Sequence, residues 1–379
     1  MLIEKSNKVL AKVKVSGGGR CNVTNSCMDP ALLVANYPRG GRELQGPFNK
    51  FGPDETVKWF EDRGVDLKTE PDGRMFPLSN SSQTIIDLLM REALQAGVEI
   101  NCQSAVTSLI KADSTFKIYF ENSGVIEADK IIIATGGSPM IKNYEWLKNL
   151  GHTIVSPVPS LFTFNILDNP FTDLMGLSIP DATIKISGTK LIQAGPILFT
   201  HWGLSGPAVL KLSAWAARHL AEVNYDFTII VNSFPEYKEA ELREAILNEQ
   251  QLHPQKKITG QGFKKLPSRL WERFCTLAAI NESQRWNEVS KKSINKLVQL
   301  LSACELPVKG KTTFKEEFVT CGGVSLREVN MKTMESLKVP GMYFAGEVLD
   351  IDGVTGGFNF QAAWTTGFLA GNSAAKKFF

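Results

Sequence analysis

A chain of 379 residues with 43% hydrophobic and 21% charged side chains holds enough apolar material for roughly two or three domains. Its 42 Lys+Arg against 39 Asp+Glu leave a net charge of +3, too slight to point to nucleic acid or an anionic membrane. No apolar run is long enough to span a bilayer, no signal-type segment opens the chain, and six scattered cysteines without a C-x-x-C pair fit reduced thiols, so a cytoplasmic protein is expected.

In chain order, Met1-Leu2-Ile3-Glu4-Lys5 reads as the tail of a strand ending in an acid. The run Ser16-Gly17-Gly18-Gly19-Arg20-Cys21-Asn22-Val23-Thr24-Asn25 is either a tight glycine turn or a cradle for phosphates. No Lys-Ser/Thr follows it, so it is not a Walker A loop. Asp54 is placed to cap a helix through Asp62 with Gly64 beyond it. Ser81 is placed to cap a second, whose apolar face is Ile85, Leu88, Leu89, Ala93 and Ala96. Strand patterns follow at Val98–Cys102, Val106–Lys111 and Thr115–Phe120, with Asn122-Ser123-Gly124 as a hairpin turn. Ile131-Ile132-Ile133-Ala134 is continuously apolar, as in a parallel strand covered on both faces. The Thr135-Gly136-Gly137 that ends it is either an ordinary turn or backbone bared at a ligand-binding sheet edge.

From about Ser156 the composition changes. Short β-like segments (Leu161–Leu167, Ala182–Ile186, Leu191–Phe199 and Phe227–Val231) suggest a small barrel or sheet, and residues from Pro235 to Cys304 read as helical. After Phe318 glycine-rich strand-and-turn composition returns. The chain therefore reads as an α/β domain in two parts, 1–155 and 318–379. Between them lies an insert, 156–317, barrel-like over 156–234 and helical over 235–317.

Among chemistry-bearing residues, only four histidines occur and none has ligand spacing, so no metal is expected. His201, in the loop Thr200-His201-Trp202-Gly203-Leu204-Ser205-Gly206-Pro207, is the best proton-transfer candidate, with a structural role equally open. Cys321, in Thr320-Cys321-Gly322-Gly323-Val324, reads as a packed thiol. The basic cluster Lys256, Lys257, Lys264, Lys265, Arg269 and Arg273 reads as a solvated helix face. Met342-Tyr343-Phe344-Ala345-Gly346-Glu347 followed by Gly356-Gly357-Phe358-Asn359-Phe360-Gln361 spells a buried strand, an acidic turn and a helix opened by paired glycines. Such a helix start offers free N–H groups to an electron-rich ligand edge.

These pieces, with Asp72-Gly73-Arg74-Met75-Phe76-Pro77, occur in the order seen in the bacterial HI0933-like family of FAD-binding oxidoreductases, which includes aminoacetone-oxidase-like and bile-acid flavoproteins. The chain resembles that family from near residue 2 to about 367. The resemblance implies a glutathione-reductase-type FAD domain, a parallel sheet with an inserted β-barrel and helical subdomain. It implies a flavoprotein enzyme working on a small-molecule substrate, with NAD(P)H as a possible electron donor; from the charge balance no nucleic acid or membrane partner is expected. Glu4, with Lys5 beside it, would hold the adenosine ribose. Ser16, Gly17, Gly18, Gly19, Arg20, Cys21 and Asn22 would run along the pyrophosphate and flavin. Val106 would meet adenine through its backbone, and Thr135 and Gly136 belong to the second FAD motif. Gly346 and Glu347 would meet the ribityl–phosphate region, while Gly357, Phe358, Asn359 and Phe360 would approach the flavin N1/O2 edge.

The family begins with a strand and a Gly-x-Gly-x-x-Gly turn, and neither precedes Glu4 here. The sequence thus leads to the expectation of an N-terminally truncated form that retains little FAD through purification. Two other readings stay open: a tRNA-associated flavoprotein using the basic cluster, and a non-catalytic remnant.

Overall fold

The computed structural model describes residues 1–121, 124–260, 262–312 and 319–376, and the chain divides into two compact units. One joins Met1–Ser160 to Phe314–Phe379; the other is Leu161–Thr313.

Short parallel strands organise the first unit. Leu2–Ile3 runs parallel to Ile100–Asn101. Ile131–Ile133 runs parallel to Met342–Phe344, and antiparallel Glu335–Ser336 and Val329–Asn330 extend that sheet. Ile131 and Ile133 are buried, but Ile132 is 43% exposed, so the cover expected on both faces is absent. Among the described residues this strand bonds only to Met342–Phe344, which leaves it at the end of its sheet with one face open. Val106–Ala112, Thr115–Phe120 and Val125–Ala128 form an antiparallel meander. The expected Asn122-Ser123-Gly124 turn falls at residues 122 and 123, outside the described residues.

Helix starts follow local chemistry. Gly52, not Asp54, is the cap of Pro53–Glu61, because Pro53 takes the first helical position and Glu55 accepts the Gly52 N–H at 2.8 Å. Asp54 instead lies in the first turn, where a negative charge suits the helix dipole. Ser81 caps Ser82–Gln95 by accepting the Gln83 N–H at 3.3 Å. That helix buries Ile85 and Leu88 in a cluster with Val13, Cys21, Val23 and Phe60. The C-terminal helix, Phe358–Ala375, is apolar along much of its length, and Lys130 caps its far end by donating to Ala374 O at 2.9 Å and Lys376 O at 2.6 Å.

The second unit is a closed six-stranded barrel with helices. Around the barrel run Thr163–Ile166, Gly203–Ser205, Ile192–Phe199, Ser178–Ile186, Asp226–Asn232 and Cys304–Thr312. The last of these corrects the helical reading of 235–317. Cys304, Leu306 and Val308 alternate inward with exposed Glu305, Pro307 and Lys309, a period of two that marks a strand. Its pairing with Asp226–Asn232 closes the ring. Helices Glu239–Leu252, Ser268–Leu277 and Lys291–Ser302 bury Leu242, Trp271, Phe274, Leu297 and Leu301 in the same core.

One ionisable cluster ties the first unit together. Buried His152 has Nδ1 3.3 Å from Glu328 and Nε2 3.1 Å from Ser336 Oγ, with its ring edge-on to Phe344 at 5.0 Å. Burial lowers the His152 pKa against the pull of Glu328. Burial alone would raise Glu328, but Lys338 at 2.7 Å and the Thr153 N–H hold it down at about 2. A group depressed on folding stabilises above its unfolded pKa and loses that contribution as pH falls through the folded value. Thermal melts should therefore show stability declining below about pH 6.5, where an unfolded histidine protonates, and further as Glu328 titrates toward about 2. Replacing His152 by Gln should remove only the upper limb; an unaltered profile would exclude His152 as its source.

Candidate functional site

Two segments more than three hundred residues apart interlock in the first unit. Gly17, Gly18 and Gly19 have φ of 58°, 68° and 83°, three successive left-handed residues that side chains would strain. They turn the chain out of the Ala11–Gly19 helix, and the Ser16 carbonyl accepts the Cys21 N–H at 3.0 Å. A Cβ on Gly18 or Gly19 would meet nothing, so their backbone is accessible, whereas one on Gly17 would press on Phe76. The chain then runs as Asn22–Asn25 beneath the start of the C-terminal helix.

There the contacts are dense. With its amide turned to satisfy all three neighbours, Asn22 accepts the Gly357 N–H at 2.8 Å and donates to Met75 O and Thr24 O. Thr24 donates to Gln361 Oε1 at 2.6 Å, Asn25 donates to Gly356 O at 2.9 Å, and Trp364 donates to Val23 O at 2.9 Å. Gly357, at φ 94°, lies so close to Thr24 that a Cβ would collide with its carbonyl.

Gln361 N–H makes the helix's first backbone bond, to Gly357 O. The N–H groups of Phe358, Asn359 and Phe360 precede it and have no acceptor among the described residues. With the positive end of an 18-residue helix behind them, they suit an electron-rich ligand edge. Their side chains are otherwise occupied: Asn359 exchanges two hydrogen bonds with Gly353, and Phe360 stacks on Trp364 at 5.6 Å.

The other predicted residues gather at strand ends. Glu4 follows Leu2–Ile3, with Oε1 accepting the Ser6 N–H at 2.7 Å, and Lys5 is exposed beside it. Thr135 and Gly136 follow Ile131–Ile133, and the neighbouring Gly137 has no room for a Cβ between Thr320 and Glu347. Glu347 accepts the Thr320 N–H at 2.8 Å and pairs with Lys12 at 2.7 Å, and Gly346 N–H donates to Thr366 at 2.9 Å. Thus Lys12, the Thr135–Gly137 turn, Thr320 and Glu347 meet at the carboxyl ends of parallel strands, where ligands of open α/β sheets bind. Val106, exposed, opens the meander.

Other predicted residues have protein partners or are buried. The Arg20 guanidinium pairs with Glu70 at 2.6 Å and lies over the Phe76 ring at 4.0 Å. Ser16 Oγ donates to Val13 O. Cys21 is fully buried, and burial pushes its pKa up to about 11, so it stays a neutral thiol. In the second unit, His201 is exposed on the turn between two barrel strands, its ring edge-on to Trp202 at 4.4 Å. In the basic cluster, Lys265 pairs with Glu236 and Arg273 with Asp173. Sequence reasoning missed Tyr37, which donates to Phe358 O at 2.6 Å, because a lone buried tyrosine has no spacing signature.

The HI0933-like protein Rossmann domain family matches residues 1–373. The chain belongs to this family. HI0933-like proteins are Rossmann-type FAD-binding oxidoreductases, and here that domain carries the six-stranded barrel. The chain is 30% identical to a protein of Escherichia coli named ribosomal RNA dihydrouridine synthase, over 97% of this chain and 89% of that one. It is 28% identical to a 3-dehydro-bile acid delta(4,6)-reductase of Clostridium scindens, over 99% and 92%. Among solved structures it is similar to the open conformation of a flavocytochrome c3 fumarate reductase, with a TM-score of 0.47 at 16% identity over 99% of this chain and 73% of that one.

The residues fit a flavin: unpaired helix N–H groups, a bare left-handed glycine turn and an acid at a strand end. If Gly357 must be glycine to seat this helix, Gly357→Ala should cost about 1–3 kcal/mol of stability through backbone strain alone, and more through the Thr24 collision. Chemical denaturation checks this; an unchanged midpoint would show that the interlock is not tight.

Proposed function

We propose that this protein is an FAD-dependent reductase that adds hydrogen across a carbon–carbon double bond conjugated to a carbonyl. A single feature carries the cofactor side of the reading, the three unpartnered N–H groups at Phe358–Phe360 held in place by Asn22–Asn25. Negative charge gathered on the flavin's pyrimidine edge would be stabilised there by donors already oriented. The substrate side is supported by the names of the relatives. A dihydrouridine and the product of a delta(4,6)-reductase both result from saturating a ring double bond. When such a bond is conjugated to a carbonyl, it takes hydride at the β carbon and a proton at the α carbon.

FAD, when bound, supplies the hydride, and reduced nicotinamide is the donor we propose to replenish it. The chain's own residues bind and orient. Glu4 and Lys5 would hold the adenosine ribose, and the Val106 backbone would meet adenine. Ser16–Asn22 would run along the diphosphate and flavin, Thr135 and Gly136 would supply the second FAD motif, and Gly346 and Glu347 would meet the ribityl–phosphate region. Glu347 is held still for this by Thr320 and Lys12. His201, exposed on its barrel turn, is the candidate that gives the proton to the α carbon.

The test uses protein given excess FAD, reduced by dithionite without oxygen, and mixed with cyclohexenone, a conjugated 3-ketosteroid or a uridine-containing RNA oligomer. Flavin absorbance should return with at least one of them, with loss of the acceptor's double bond. No acceptor outpacing buffer would overturn the reading. His201→Ala should slow that return about 10²-fold or more; an unchanged rate would remove His201 from proton transfer.

A further inference from the structure

Asp352 is a carboxylate with no exposed surface, set in the loop between the Gly346–Val348 turn and the paired glycines that open the C-terminal helix. Arg39 grips it with two nitrogens, Nε on one oxygen and Nη2 on the other, and Ser160 Oγ donates to the second oxygen at 2.7 Å. Burial pushes the Asp352 pKa up, against the pull of Arg39. A buried ion pair is a costly way to fill space, since apolar side chains of equal volume hold a fold as well or better. What a two-pronged Arg–carboxylate pair adds is a fixed geometry.

The geometry fixed here is that of the loop leading into the unpartnered N–H groups. Arg39 and Asp352 also face each other as a backbone bridge, and Val354 N–H donates to Asn36 O at 2.9 Å. Tyr37 donates to Phe358 O, and its ring stands edge-on to that of Phe358 at 6.0 Å. Asn359 closes the other side by its two bonds to Gly353. The strip Asn36–Arg39 is thus laced along Asp352–Phe358, and Arg39 to Asp352 is an ionic tie across it.

We propose that Arg39 is a positioning residue: by gripping Asp352 it sets the Asp352–Gly357 loop and so aims the Phe358–Phe360 N–H groups at the flavin. The inference rests on the cofactor reading above. Arg39 acts through Asp352 and the loop, and the quantity it controls is how strongly the site favours the reduced, more negative flavin.

The experiment compares wild type, R39K and the double variant R39M/D352N, each given FAD. It reads thermal melting, the FAD dissociation constant and the midpoint potential of the bound flavin. R39M/D352N removes both charges of the pair together, and its melting temperature should stay near that of wild type. Its flavin potential should nevertheless shift to more negative values, and FAD should bind at least tenfold more weakly. R39K keeps the charge but not the two-pronged grip, and should shift the potential in the same direction by less. A wild-type potential and affinity in the double variant would overturn the proposal. Should the double variant not fold, an unshifted potential in R39K would do the same. Failure of wild type to bind FAD at all would overturn the cofactor reading itself, a result distinct from either.

Discussion

The structure around the site depends on the close packing of Gly357 against the Thr24 carbonyl. A left-handed glycine is the residue that lets the C-terminal helix begin there, and the absence of a Cβ lets the Asn22–Asn25 strip pass beneath it. From that contact follow the Asn22–Gly357, Thr24–Gln361 and Asn25–Gly356 hydrogen bonds. Each satisfies a polar group that would otherwise be buried at a cost of about 1–3 kcal/mol. The strip therefore takes up the Gly357 N–H and leaves the next three free.

A helix that begins with unsatisfied donors is normally mended by a side-chain cap. Here the cap position is a glycine, and the polar residue in the first turn, Asn359, bonds back to Gly353 instead. The donors are thereby left without a side-chain cap among the described residues. Of the cysteines near the strip, Cys21 is a neutral buried thiol with a pKa near 11, and burial raises the pKa of half-buried Cys27 as well.

Much of this was legible because glycine patterns report backbone geometry directly. Ser16–Asn25, Thr135–Gly137 and Gly356–Gln361 announce positive φ and close approach, and they are found at a helix end, after a strand and at a helix start respectively. Four of the six barrel strands showed as short β-like segments. Cys304–Thr312 escaped because it follows a run of amphipathic helices and carries Pro307, which discourages a strand reading. Asp54 looked like a cap because capping residues are judged by type, while Pro53 decides the start by its fixed φ. The Arg39–Asp352 grip joins residues 313 apart in sequence and has no local signature at all.

The most direct measurement is amide hydrogen exchange with and without FAD. If the free donors at the start of the C-terminal helix receive the flavin's pyrimidine edge, saturating FAD should slow exchange in peptides covering 356–361 and 16–25. The barrel helix Lys291–Ser302 should exchange as before. Saturable FAD binding with unchanged exchange at Phe358, Asn359 and Phe360 would contradict the account.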